Sequence, residues 1–93
     1  MQEDIDKILK EFVQKHLEPA EIVNLISRED EDADGDPIMR IRVVYNPEKN
    51  PLDPNKTLSL TRHLRQKMGN IFIERFPIFY FVTKEEDKTF AGY

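Results

Sequence analysis

The chain has no cysteine, three glycines, two serines, two histidines, and no apolar run approaching the ~20 residues that span a bilayer. Without cysteine there can be no disulfide, no thiolate nucleophile and no cysteine-ligated zinc. Gly35, Gly69 and Gly92 lie too far apart to build a phosphate-cradling loop. Ser27 and Ser59, with His16 and His63 on what read as separate helices, leave few ways to assemble a nucleophile, a base and an orienting group. Two histidines without a close second ligand make no zinc signature. The expectation is a protein that is not an enzyme and holds no cofactor. Glu3, Asp4 and Asp6 make the start acidic, so neither a signal peptide nor a membrane anchor is expected, and the chain reads as cytoplasmic.

At 93 residues the chain is expected to form a single domain, burying roughly 60–65% of the surface its unfolded form exposes. Apolar residues make up 39% and charged residues 34%, and the apolar ones fall in periodic runs, as in a globular protein. A net charge of -4 opposes non-specific attraction to phosphate backbones, although a local basic patch can survive that average.

The sharpest local signal is Glu29 to Asp36, E-D-E-D-A-D-G-D, with six carboxylates in eight positions. Such a cluster belongs at a solvated turn, around a cation, or against a basic partner. Asp30, Asp32, Asp34 and Gly35 spell the opening of an EF-hand loop, and Asp36 adds another ligand. The twelfth position, where a bidentate glutamate should close the site, is Ile41, so a weak, partly hydrated cation site is the most this turn offers.

Ile5, Ile8, Leu9, Phe12, Val13 and Leu17 recur at helical spacing, predicting a helix over Gln2 to His16. Glu21 to Arg28 reads as a strand, the acidic cluster as a hairpin loop turning at Asp34-Gly35, and Ile38 to Tyr45 as the returning strand. Alternation puts Met39, Ile41, Val43 and Tyr45 on one face and Ile38, Arg40, Arg42 and Val44 on the other. Asp53-Pro54 is a helix start signal. The helix it opens carries Leu60, Leu64, Met68 and Ile71 as its apolar stripe, with a break at Gly69-Asn70 and a short helical turn beyond. Pro77 to Thr83 is a third strand and the expected centre of the sheet's energetics. Lys84 to Tyr93 reads as a tail, in which Phe90 and Tyr93 are candidate anchors for a partner. The order α-β-β-α-β implies an α+β two-layer sandwich, a three-stranded mixed sheet with the helices on one face.

This order is similar to the type II KH fold and to BolA-like proteins over Gln2 to Thr83. A KH domain grips nucleic acid through a G-x-x-G loop, and this chain has only Gly69 in that region, so the resemblance extends to element order and brings no gripping residues. The segments D-G-D-P-I-M-R-I-R-V-V-Y, L-D-P-N-K-T, R-H-L-R-Q-K-M and F-P-I-F-Y-F-V-T-K resemble a group of short uncharacterised bacterial proteins, a resemblance that implies no function.

Two surfaces remain as candidates. Arg62, Arg65 and Lys67 on the second helix, with Arg40 and Arg42 on the second strand, could bind RNA, and Phe79, Tyr80 and Phe81 could supply stacking. On a helix, however, these cations flank both sides of the Leu60-Leu64-Met68 stripe, as in an ordinary solvated helix. An open sheet with an apolar third strand also invites pairing with another chain, and a neighbour's acidic turn would complement Arg40 and Arg42. The sequence therefore points first to a non-catalytic interaction or regulatory module, self-associating or half of a bacterial two-protein complex. RNA binding comes second and cation binding third.

Overall fold

A computed structural model describes residues 2–69 and 74–89, with side chains from residue 4. Its elements are α1 (Gln2–Leu17), β1 (Glu21–Glu31), β2 (Pro37–Asn46), α2 (Pro54–Met68), β3 (Phe76–Thr83) and α3 (Lys84–Asp87). The expected small α+β fold and three-stranded mixed sheet are present, in the order β1-β2-β3, with β1 antiparallel and β3 parallel to β2.

The core lies between the sheet and α1 with α2. Leu9, Val13 and Leu17 of α1 and Leu60 and Leu64 of α2 pack with Met39, Ile41 and Val43 of β2 and with Ile22 and Leu25 of β1. Phe79 and Phe81 join this cluster from β3. Ile8, expected on the buried stripe, is 46% exposed, because the α1 face that meets the sheet is the Leu9-Val13-Leu17 line. Gln14 ties α1 to β1: its amide donates to the Ala20 carbonyl (2.9 Å) and accepts from the Ile22 N–H (2.9 Å). Asp53 caps α2 as expected, accepting from the Asn55 N–H at 2.9 Å, with Pro54 in the first helical turn.

Four expectations change. First, β1 runs on to Glu31, so Glu29, Asp30 and Glu31 are strand residues rather than loop. Charge is tolerated there because β1 is an edge strand, and Asp30 reaches Arg40 across the ladder. Second, β2 is the sheet's central strand, with Ile41 and Val43 at 0% exposure, and the aromatic β3 is an edge. A continuous apolar run signals burial, but it does not say on which side the neighbouring strand lies. Third, the supposed tail begins with α3, started by a capping box: the Thr83 hydroxyl accepts from the Glu86 N–H (3.0 Å), and the Glu86 carboxylate accepts from the Thr83 N–H (2.8 Å). Fourth, α3 packs on β2 and β3, and Asp87 meets Arg42 at 3.5 Å on the sheet face away from α1 and α2. Ile71 and the short helical turn beyond Asn70, like Phe90 and Tyr93, lie outside the described residues.

Candidate functional site

Hairpin register brings together side chains far apart in sequence. Gly35 sits at φ +85°, a conformation glycine adopts without the Cβ clash that penalises other residues, and it closes the turn by donating to the Asp32 carbonyl at 3.0 Å. Beyond a bulge between Ile22 and Asn24, the ladder pairs Ile26 with Arg42, Arg28 with Arg40 and Asp30 with Ile38. On the other flank, parallel pairing sets Ile78 beside Arg40 and Tyr80 beside Arg42. The second sheet face thus collects Arg28, Arg40, Arg42, Asp30, Tyr80 and Val82 around a pocket of about 450 Å³.

Burial is graded across this pocket: the side chain of Arg42 is 6% exposed, that of Arg40 27% and that of Arg28 51%. Asp30 holds two of the three arginines, Arg40 at 2.6 Å and Arg28 at 3.6 Å. Hydrogen bonding from Arg40, with help from the Glu31 N–H, keeps the Asp30 carboxyl below its ordinary value. Arg40 also donates to the Tyr80 hydroxyl and lies 5.8 Å from that ring's centre. Arg75, just before β3, donates to the Asp30 (2.7 Å) and Ile38 (3.2 Å) carbonyls and fixes this end of the β1–β2 ladder. At the opposite end, Asn46 and then Lys49 hydrogen-bond the Glu21 carboxylate and lower its pKa.

The basic residues expected to act together fall on different layers. Arg40 and Arg42 line the pocket on the second sheet face, whereas Arg62, Arg65 and Lys67 belong to α2 on the first. Arg62, Arg65 and Lys67 are exposed, and Arg65 lies 5.0 Å from the centre of the Phe76 ring at the edge of the sheet. Phe79 and Phe81 are stacked 6.2 Å apart against the core, and Phe81 also borders the pocket beside Tyr80 and Val82.

The acidic turn is regrouped as well. Carboxylate oxygens of Asp32, Asp34 and Asp36 lie within 4.8 Å of one another, while Asp30 is committed to Arg40. The Asp32 carboxylate accepts from the N–H groups of Asp34 and Asp36, both at 2.9 Å, so it acts as the side-chain brace of the turn.

Sequence reasoning missed two associations. Arg28 belongs with Arg40, a pairing that requires the hairpin to be centred on Asp34, whereas a turn at Asp34-Gly35 would set Arg28 against Ile41. The second is the meeting of the two histidines, whose ring centres lie 4.9 Å apart between α1 and α2, with Phe12 stacked on His16. His16 borders a groove of about 730 Å³ lined by Ile8, Glu11, Phe12, Lys15, Lys67 and Met68. Nothing local in the sequence brings these helix ends together. The His16 Nε2 lies 3.0 Å from the Lys56 carbonyl and 3.1 Å from the Ser59 hydroxyl. A carbonyl only accepts, so Nε2 carries the proton there and is not poised to take one from Ser59. Ser59 itself donates to the same carbonyl at 3.2 Å. This cluster ties two helices together and does not have the geometry of a nucleophile and its base.

Comparison with protein-family models, with curated proteins and with solved structures finds no match to this chain.

Proposed function

We propose that this protein is a non-catalytic interaction module that self-associates by pairing the β3 edges of two copies. The supporting observation is the contrast between its two sheet edges. β1 carries Glu21, Arg28, Glu29, Asp30 and Glu31 and is bulged between Ile22 and Asn24, features that discourage a further strand from adding to it. β3, F-P-I-F-Y-F-V-T, has no charged residue in its eight positions, and among the described residues it pairs with β2 alone. Pro77 blocks one donor near its start, leaving Ile78 to Thr83 as a template. Phe76 is 49% and Tyr80 36% exposed along that edge, so pairing covers aromatic surface as well as satisfying backbone groups.

Two antiparallel β3 strands related by a two-fold axis form an isologous interface and a continuous six-stranded sheet. The added backbone bonds, each worth about 1 kcal/mol net, act with the covered aromatics against an association cost of about 4–15 kcal/mol. The result is a dimer whose population rises with concentration. Light scattering over a concentration series tests this: twice the chain mass is expected at high concentration, nearly independent of salt, because the contact is apolar and backbone-made. A monomer at all concentrations, or a complex that dissolves with salt or nuclease, would overturn it, and the latter would favour nucleic-acid binding instead.

A further inference from the structure

α2 is one-sided in charge: it holds Lys56, Arg62, Arg65 and Lys67 and no carboxylate, in a chain of net charge -4. α1 lies against it and runs the opposite way. His16, near the end of α1, meets Ser59 and His63, while Ile8 and Phe12, earlier in α1, share a groove with Lys67 and Met68 at the end of α2. This groove of about 730 Å³ has an apolar floor and a cationic rim. Ile8 is 46% exposed, and Phe12 and Met68 are half-buried beside it. Ile8, Phe12 and Lys15 fall at i, i+4 and i+7, on one strip of α1. Lys15 and Lys67 are exposed, and neither has an ion-pair partner among the described residues. Glu11 is the single carboxylate among the described residues that line the groove.

We propose that this groove docks an acidic amphipathic helix of a partner protein, its apolar side chains on Ile8, Phe12 and Met68 and its carboxylates on Lys15 and Lys67. From Ile8 to His16 the axis of α1 advances about 12 Å at about 1.5 Å per residue, or about two turns. Apolar residues at i, i+4 and i+7 of an incoming helix match that length. Methionine suits the floor because its unbranched side chain adapts to the shape laid on it. Nucleic acid fits less well: the floor is largely aliphatic, the Phe12 ring is already stacked on His16, and Glu11 repels phosphate. The walls are set in advance, since His16 Nε2 donates to the Lys56 carbonyl at 3.0 Å and ties α1 to α2, so docking orders little. The groove belongs to the helix layer and the proposed dimer to a sheet edge, so the two readings stand or fall separately.

The test is fluorescence anisotropy with a labelled synthetic helix of about fourteen residues, leucine at i, i+4 and i+7 and glutamate on both flanks, compared with its counterpart carrying lysine for glutamate. The glutamate peptide should bind in the micromolar range and weaken as salt rises, and the lysine peptide should bind about tenfold more weakly or less. Ile8→Gln should weaken the glutamate peptide about tenfold or more, and Lys15→Glu, Lys67→Glu about tenfold. All three side chains are exposed, so these variants keep the fold, and unchanged circular dichroism and melting verify that. Ile78→Glu should bind the peptide as the wild type does, which separates this site from the β3 edge. No binding of the glutamate peptide at ~1 mM, equal binding of the two peptides, or unchanged binding by Ile8→Gln would overturn the proposal. So would loss of dimerisation in Ile8→Gln, which makes a second copy the occupant, or retention of a single-stranded oligonucleotide through Lys15 and Lys67 without peptide binding.

Discussion

Replacing Ile78 by glutamate places a charge on the one edge that has none. Ile78 is half-buried on β3, beside Arg40 in the β2–β3 register. Full burial of an isoleucine contributes about 1.5–3 kcal/mol, and Ile78 is already mostly covered, so the part left exposed in a single chain gives about 0.5 kcal/mol to a contact that hides it. A two-fold interface counts the loss twice, making about 1 kcal/mol. Each new carboxylate also loses water at the seam, at about 1.5 kcal/mol per copy, or about 3 kcal/mol for the pair. The total is about 4 kcal/mol, which weakens self-association roughly a thousandfold. Within one chain the new carboxylate lies beside Arg40, so the fold should change by about 1 kcal/mol or less. Sedimentation velocity over a range of concentrations separates the two effects, with thermal melting as the control. If Ile78→Glu dimerises as the wild type does while keeping its melting behaviour, the β3 edge is not the interface.

Leu64→Ala, at a site with 0% exposure between α2 and the sheet, should cost about 2–5 kcal/mol in urea unfolding, through lost transfer energy and a residual cavity. Asp53→Ala removes the carboxylate that caps α2 and should cost about 1 kcal/mol by the same assay. Asp30 titrates below its ordinary value because Arg40 hydrogen-bonds its charged form. A depressed folded-state pKa stabilises above the unfolded value and is lost as pH falls through the folded one, so the wild type should lose this contribution below about pH 4. Asp30→Asn should show a flatter acid-unfolding profile in that window and lower stability at neutral pH.

Much of the architecture was legible because two periods dominate the chain. Met39, Ile41, Val43 and Tyr45 alternate as a strand against helices must, and Leu60 and Leu64 recur at a helical spacing behind a clear Asp53-Pro54 start. The order of strands in space was not legible: an apolar run such as Pro77 to Thr83 reads as buried whether it lies at the centre or at an edge. α3 is too short to show a period, although Thr83 and Glu86 spell the capping box that starts it. The pocket was half visible. Arg40 and Arg42 stood out on one face of β2, but Arg28 joins them only through the hairpin register and Tyr80 only through the β2–β3 pairing. The basic residues of α2 looked like their partners because sequence gives charge without layer. The His16–His63 contact depends on how two helices cross, which no local pattern encodes.

The central claim is that two copies meet along β3, and amide hydrogen exchange at low and high protein concentration tests it most directly. The account predicts that protection of the outward-facing amides between Ile78 and Thr83 rises with concentration, while the outer amides of β1 exchange at the same rate throughout. Exchange in β3 that is independent of concentration, or protection that grows along β1 instead, would contradict it.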